Sequence, residues 1–249
     1  MDQTQQPALR WKQEAGQLAA TYITDGMIVG LGTGSTATEA IKAIGMRVRA
    51  GLRITAVSTS DRSSALAGQL GIPLVELDSV LSIDVTIDGA DEIDPASFIL
   101  IKGLGGALLR EKLIALATKM EIIVADDSKL VRTLGAHAPV PVEVEMFGWR
   151  HTQTRLEQLG CRPVLRPGTP GADARTAPYI TDNGHYILDC HFGLIQDPVG
   201  LAHAIKSLSG VVEHGLFIGL AHRLVIAGPG GIRVWDRPAP LDNLPLPQA

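Results

Sequence analysis

The sequence has few cysteines and no long apolar run. Cys161 and Cys190 stand alone, without C-x-x-C spacing, which predicts buried free thiols and a reducing cytoplasm. No segment approaches the ~18 consecutive apolar residues of a membrane span, and residues 1–13 lack the apolar core of a signal peptide. We therefore expect a soluble cytoplasmic protein that does not enter a membrane.

The sequence also has no long basic run. Its formal net charge is -4 and its pI is about 6.0, so the electrostatic footprint of a nucleic-acid-binding protein is missing. Small anionic ligands remain compatible with this charge, because local backbone amides and a few lysines outweigh a mild global charge. The histidines are scattered without ligand spacing, and we assign none of them to a metal.

The first half of the chain alternates short apolar strands with helical patterns. Strands are predicted at 27–31, 53–58, 73–77, 83–87 and 121–125, and helices at 9–22, 35–44, 60–70 and 106–120. Strands and helices that alternate at this spacing predict an α/β fold with a doubly wound, mostly parallel, Rossmann-like sheet.

The pattern changes after about residue 134. An extended segment at 139–144, helices at 149–159 and 198–208, a loop or hairpin at 162–177 and a strand at 186–191 predict a smaller α+β domain. Strands at 211–217, 223–227 and 232–235 are expected to return to the main body, and the tail from Arg237 to be loosely ordered. The predicted domains are therefore 1–134 plus 209–249, Rossmann-like and catalytic, and 135–208.

A glycine-rich loop, Gly30-Leu-Gly-Thr-Gly-Ser-Thr36, lies between the first strand and the next helix. Backbone N–H groups at a helix N-terminus, with Thr and Ser hydroxyls, favour a phosphate site. A dinucleotide fingerprint fails because Ser35 replaces its third glycine, and a P-loop fails because no lysine follows Gly34. A tight turn with Ser35 as the helix N-cap is the alternative.

Acidic residues follow the strand at 83–87. Asp88 and Asp91 are separated by Gly89-Ala90, which lets the chain curl and bring both carboxylates toward one pocket at the carboxyl end of the sheet. Two close carboxylates push their pKa values apart, so that one can hold a proton near neutrality. A Mg²⁺ site is the competing hypothesis, and Glu92 fits either the pocket or a solvated turn.

A lysine and an acid flank the next glycine loop, Lys102 to Lys112. Lys102 and Glu111 together supply charge stabilisation and proton transfer. Taken singly, Glu111 could be a solvated helix cap, and Lys129 a surface lysine. These loops follow successive strands of one sheet, so we expect them to converge on one edge.

These residues match a known family. The segments 30–36, 88–93 and 102–112 resemble those of type A ribose-5-phosphate isomerases, and the similarity continues through 125–129, 139–144, 181–184, 197–198, 210–212 and 215–217. It covers nearly all of residues 10–235, in order. The resemblance implies interconversion of D-ribose 5-phosphate and D-ribulose 5-phosphate in the non-oxidative pentose phosphate pathway, without a cofactor or metal, in a homodimer or homotetramer.

The resemblance also implies roles for individual residues. Glu111 would move a proton through an enediolate, and Lys102 would stabilise the oxyanion. Asp88 and Asp91 would bind hydroxyls and assist ring opening. Substrate contacts are expected from Thr33, Gly34, Ser35, Thr36, Asp88, Gly89, Ala90, Asp91, Lys102, Gly103, Leu104, Gly105 and Lys129.

The chain departs from the family pattern in two places. It is one residue longer between Asp91 and Lys102, and Leu104 replaces a usual glycine. Leu104 would strain or narrow the site if that position needs positive φ; we expect retained activity with altered affinity. The alternatives are a non-catalytic sugar-phosphate sensor on a related fold and an isomerase, deaminating or not, for a hexose phosphate.

Overall fold

A computed structural model describes residues 5–169 and 171–238. Within these residues the helices are α1 (Gln5–Ala20), α2 (Ser35–Arg49), α3 (Asp61–Leu70), α4 (Leu108–Leu116), α5 (Trp149–Gln158) and α6 (Pro198–Lys206). The strands are β1 (Ile28–Leu31), β2 (Thr55–Ser58), β3 (Ile83–Asp88), β4 (Glu92–Asp94), β5 (Ile99–Ile101), β6 (Thr118–Asp126), β7 (Val140–Val144), β8 (Arg162–Leu165), β9 (Tyr186–His191), β10 (Val211–His214), β11 (Leu216–Phe217), β12 (Arg223–Gly228) and β13 (Gly231–Asp236).

Six strands form the main sheet, in the order β13-β12-β6-β3-β1-β2. All neighbours run parallel except the edge strand β13, which is antiparallel to β12. Alternate residues of β6 and β12 enter two cores. One core lies against α1 and α2, and the other contains residues of α4 and the β4–β5 hairpin. The predicted α/β fold is confirmed. None of the helices in the described residues combines the length and apolarity needed to cross a membrane.

Two antiparallel sheets complete the fold, with orders β10-β7-β9-β8 and β11-β5-β4. The predicted strand at 211–217 is divided between them, because β10 pairs with β7 and β11 with β5. The prediction of a single strand at 211–217 was wrong: β11 pairs with β5, within the predicted main body, and β10 pairs with β7, within the predicted smaller domain. β12 and β13 join the main sheet. The domain boundaries at 134 and 209 remain a prediction, and the tail from residue 239 lies outside the described residues.

Several elements differ from their predicted bounds. The second helix runs past Gly45, where a Cβ atom would lie 2.8 Å from Leu70 Cβ, so this glycine allows α2 and α3 to pack closely. The segment 73–77 makes one bridge to β2, between Leu74 and Ala56, instead of a strand. The helix predicted to reach residue 120 ends at Leu116, because the longest strand of the sheet already begins at 118.

The β4–β5 hairpin had no counterpart in the predicted elements. Its turn contains Phe98, the one non-glycine residue in the described chain with positive φ, at 59°. The side chain of Phe98 is buried, and that burial offsets the cost of the left-handed backbone. The hairpin spans most of the segment from Asp91 to Lys102 and positions both residues at the edge of the main sheet.

Candidate active site

An open cavity lies at the carboxyl edge of the parallel strands, where open α/β sheets bind ligands. Its lining residues are Thr33, Gly34, Ser35, Thr36, Gly89, Ala90, Asp91, Lys102, Gly103, Gly105, Glu111 and Lys129. The predicted site residues therefore converge on one cavity, apart from Asp88 and Leu104, which lie beside it.

The loop after β1 is fixed against the end of β3. A Cβ atom at Gly32 would lie 2.2 Å from Asp88 Oδ1, so only glycine permits this approach. The backbone N–H of Thr33 donates to the same carboxylate over 2.9 Å. Gly34, with φ at 112°, is the N-cap of α2 and has no side chain to occupy the first N–H groups. Ser35 is therefore not the cap, and the start of the helix is open to an anion.

Asp88 is buried beneath the cavity and supports a lysine. Its Oδ1 atom accepts from Thr33 and from the Gly89 N–H over 2.7 Å. Its Oδ2 atom lies 2.9 Å from Lys102 Nζ. Asp88 thus holds the lysine in place from below instead of lining the cavity.

Lys102 connects the two acidic residues of the site. Its side chain is 2% exposed, and its Nζ atom lies 3.5 Å from Glu111 Oε1 while donating to the Gly89 carbonyl. Burial by itself lowers the pKa of Lys102, but the adjacent carboxylates of Asp88 and Glu111 outweigh it and raise the pKa above its usual value. The cavity therefore contains a permanent positive charge.

Glu111 is a buried carboxyl group with a raised pKa. Burial raises the pKa of Glu111 to about 8; Lys102 opposes the shift, and the charges of Asp88 and Asp91 add to it. No donor in the described residues contacts Oε2 of Glu111. The ammonium group of the neighbouring Lys112 donates to Glu213 Oε1 over 2.7 Å.

Leu104 does not strain the loop. Positive φ in this loop occurs at Gly103 and Gly106, and the side chain of Leu104 is 42% exposed, outside the cavity lining. Its backbone N–H donates to Asp91 Oδ2 over 2.9 Å. Burial raises the pKa of Asp91 despite this hydrogen bond and the nearby Lys102. The glycine replaced by Leu104 is therefore not required for the backbone here.

Glu92 turns away from the cavity and binds a loop. Its carboxylate accepts from the backbone N–H groups of Gly135 over 2.6 Å and Ala138 over 2.7 Å, and also from that of His137. Three amides directed at one buried carboxylate fix the segment that leads into β7. The sequence left open whether Glu92 lines the pocket or lies in a solvated turn, and the structure shows that it does neither.

Lys129 lines the cavity from the loop after β6. Lys12 of α1 lies near the same loop, with its Nζ atom 3.9 Å from Asp126 Oδ2, but it is outside the lining. Of these two lysines, Lys129 is therefore the one that lines the cavity.

The sequence pattern did not indicate Glu121, a buried acid next to the site. Glu121 pairs in register with Thr86, two residues before Asp88, and is 1% exposed. No donor in the described part of the chain contacts either carboxylate oxygen. Burial raises the pKa of Glu121 well above its usual value, and the charge of Asp88 adds to the shift. The sequence contained one signal for this residue, a single acidic residue directly before the apolar run 122–125.

Replacing Glu121 by leucine is expected to stabilise the protein by about 1–3 kcal/mol, because it removes a buried group without a hydrogen-bond partner. The unfolded chain ionises Glu121 near its usual pKa, whereas the folded state keeps the proton, so the wild type loses stability as pH rises between the two values. The gain measured by denaturant unfolding should therefore grow with pH. Equal or lower stability of Glu121→Leu at every pH would contradict this account.

Comparison with known proteins agrees with this geometry. Residues 55–231 match the model of the family described as ribose 5-phosphate isomerase A (phosphoriboisomerase A). The chain belongs to this family. It is 53% identical to the ribose-5-phosphate isomerase A of Synechococcus sp. (strain JA-3-3Ab) over 89% of this chain and 94% of the relative.

Solved structures of the family have the same fold. The ribose 5-phosphate isomerase A of Methanocaldococcus jannaschii matches with a TM-score of 0.86 and 35% identity, covering 92% of this chain and 99% of that one. A D-ribose-5-phosphate isomerase in complex with phospho-erythronic acid matches with a TM-score of 0.87 and 36% identity over the same shares. The family predicted from the sequence is confirmed, and the sensor alternative is not favoured.

Proposed function

We infer that the protein catalyses the aldose–ketose isomerisation of D-ribose 5-phosphate and D-ribulose 5-phosphate. The observation that carries this proposal is the pair formed by Glu111 and Lys102, buried side by side in the cavity with Glu111 Oε2 unengaged. A base and a fixed cation next to each other suit proton removal beside a carbonyl group. Family membership supports the same activity.

Glu111 is the proposed base. Its carboxylate takes the proton from C2 of the open-chain aldose, and the electrons of that C–H bond form the C1–C2 double bond of an enediolate. The negative charge on the sugar oxygens is stabilised by Lys102, whose ammonium stays charged next to Asp88. A proton then passes from the hydroxyl on C2 to the oxygen on C1, and Glu111 returns a proton to C1 as the oxygen on C2 becomes the ketone, so no atom is gained or lost.

Asp91 is the proposed partner for the sugar hydroxyls during ring opening. Its pKa is raised by burial, so it can hold or release a proton closer to neutrality than an exposed carboxyl group. Asp88, in contrast, lies outside the cavity lining, with Oδ1 accepting two backbone N–H groups and Oδ2 2.9 Å from Lys102 Nζ. Its proposed contribution to substrate is therefore made through the lysine.

The start of α2 is the proposed site of the phosphate group. The uncapped N-terminus of α2 offers the N–H groups and hydroxyls of Ser35 and Thr36, and Lys129 adds a positive charge. A solved relative that binds phospho-erythronic acid, a sugar-acid phosphate, supports a ligand of this chemistry. An isomerase for a hexose phosphate is distinguished from this proposal by comparing the turnover of ribose 5-phosphate with that of a hexose phosphate.

The first experiment measures ribulose 5-phosphate formed from ribose 5-phosphate by the purified protein with excess chelator. Turnover that survives the chelator supports a metal-independent isomerase. Saturable binding of ribose 5-phosphate without turnover would support the non-catalytic sensor instead. Faster turnover of a hexose phosphate would support the hexose-phosphate isomerase. A homodimer or homotetramer and a cytoplasmic location remain predictions.

The pH dependence follows from the raised pKa of Glu111, about 8. Only the carboxylate form accepts the C2 proton, so kcat/KM should rise with pH and level off above an inflection near 8. The measurement is kcat/KM as a function of pH at constant ionic strength. An acidic inflection at the usual glutamate value would show that burial does not tune this group.

A further inference from the structure

Arg110 precedes Glu111 on α4 but is absent from the cavity lining. Its guanidinium group extends away from the cavity to two other segments. Nη1 lies 2.7 Å from Asp61 Oδ1, Nε donates to Asn183 Oδ1 over 2.9 Å, and Nη2 donates to the Asp182 carbonyl over 3.1 Å. One side chain therefore joins the helix of the proposed base to α3 and to the turn before β9.

The two partner segments are also bound to each other. The backbone N–H of Asp61 donates to Asp182 Oδ2 over 2.9 Å, and the same oxygen lies 3.8 Å from Arg110 Nη1. The Asp61 side chain is 74% exposed, and an exposed ion pair by itself contributes little. The geometric constraint comes from the directed hydrogen bonds to Asn183 and Asp182, which a planar guanidinium makes simultaneously.

The turn that receives Arg110 is anchored in the core of the smaller sheet. Glu143 of β7 is fully buried and accepts from Thr181 Oγ1 over 2.9 Å and from Asn183 Nδ2 over 3.2 Å. Asn183 therefore contacts the buried acid with its nitrogen and Arg110 with its oxygen. A turn held this way gives the guanidinium a fixed point of attachment.

The α3 side of the contact leads to the substrate loop. Ser60, the N-cap of α3, accepts from Thr33 Oγ1 over 2.7 Å. Thr33 belongs to the cavity lining. Arg110 thus connects the helix with the proposed base to the loop proposed to hold the substrate.

The start of α4 depends on such external contacts. Its N-cap, Ala107, makes no side-chain capping bond, and the preceding Gly106 has φ at 86°. Helix starts without a cap are weakly fixed. We propose that Arg110 is a positioning residue for the isomerisation, holding the first turn of α4 so that Glu111 meets the sugar carbons; this rests on the function proposed above.

The test compares Arg110→Ala, Arg110→Lys and Asn183→Ala with wild type in kcat, KM, melting temperature and pH profile. Because a misplacement of ~1 Å can cost ~100-fold, kcat of Arg110→Ala should fall ~10–100-fold. KM should change by less than ~3-fold, since the phosphate contacts are intact. Arg110→Lys, with a single ammonium, should recover only part of the loss. The inflection near 8 should stay in place, because Arg110 is not among the groups that shift Glu111.

Arg53→Ala is the matched control, because Arg53 forms an exposed ion pair with Asp25 away from the cavity. It should leave kcat unchanged. The losses of Arg110→Ala and Asn183→Ala should not multiply. The double variant should match Arg110→Ala within ~2-fold, because the hydrogen bond from Asn183 to α4 is made through Arg110. Wild-type kcat in Arg110→Ala, or a loss explained entirely by a lower folded fraction, overturns the proposal; so do losses that multiply.

Glu111→Gln distinguishes a failure of the proposed function of Glu111 from a failure of the positioning role proposed for Arg110. If Glu111→Gln turns over like wild type, the proposed function of that residue fails, whatever Arg110 does. If Glu111→Gln is inactive while the Arg110 variants match wild type, only the positioning role fails.

Discussion

Glu111→Gln is expected to lower kcat by about 10²–10⁴-fold, the usual contribution of a positioned general base. The amide keeps the size of the side chain but cannot accept the C2 proton. Because Lys102 retains its closer partner, Asp88, at 2.9 Å, the cavity should keep its shape. Substrate binding, measured by calorimetry, should therefore persist while turnover is lost.

The matched control is Glu39→Gln, which removes a carboxylate paired with Lys42 on α2, outside the cavity lining. It should leave kcat unchanged. Turnover of Glu111→Gln within a few-fold of wild type would show that another group removes the proton. Loss of binding together with turnover would indicate a collapsed site instead of a missing base.

Lys102→Met is expected to remove activity and to destabilise the fold. Loss of one preorganised oxyanion-stabilising group typically costs about 10²–10³-fold in kcat. Removing one member of a buried ion pair typically costs about 3–5 kcal/mol, because the carboxylates of Asp88 and Glu111 are left without a cation. The pKa of Glu111 should also rise above about 8, since Lys102 is the group that lowers it.

Lys112→Met is the matched control, because it also removes a buried lysine. Both ammonium groups lie against the ring of Phe217, at 5.4 Å for Lys102 and 4.8 Å for Lys112, but Lys112 pairs with Glu213. Its replacement should destabilise the protein without moving the pH inflection. Activity and pH profile are compared for the folded fraction of each variant. A Lys102→Met enzyme with wild-type kcat would contradict the assigned role.

The local chemistry of the loops made much of the site predictable. Asp88 follows an apolar strand, and a residue in that position must lie at the carboxyl edge of a parallel sheet. The glycines around Lys102 marked a loop that approaches the cavity. These are short-range signals, so the residues that line the cavity could be identified before their geometry was known.

Long-range contacts decided what the sequence did not indicate. In the sequence, Gly45 is typical of a helix end, but in the structure it lies against Leu70 of the neighbouring helix. Glu92 has the same local context as its neighbours in the acidic cluster, but its partners are amides some 43 to 46 residues away. Arg110 likewise meets Asn183 at a separation of 73 residues. Such pairings depend on how the sheets are assembled, which periodicity does not specify.

Strand assignment failed for a related reason. The apolar segment 211–217 reads as one strand, although Gly215 divides it between two sheets. A Cβ atom at Gly215 would lie 2.2 Å from the Lys102 carbonyl. The same close approach that divides the strand also holds the loop that begins at Lys102, because the Lys102 N–H donates to the Gly215 carbonyl over 2.9 Å.

The central claim is that Glu111 moves a proton between the two sugar carbons. The most direct test incubates ribose 5-phosphate with wild type or Glu111→Gln in deuterated water until wild type reaches equilibrium. The account predicts that wild type places deuterium at C2 of the aldose and C1 of the ketose, and that Glu111→Gln places none. Deuterium placed at these carbons by Glu111→Gln at the wild-type rate would contradict it, because another group would then remove the proton.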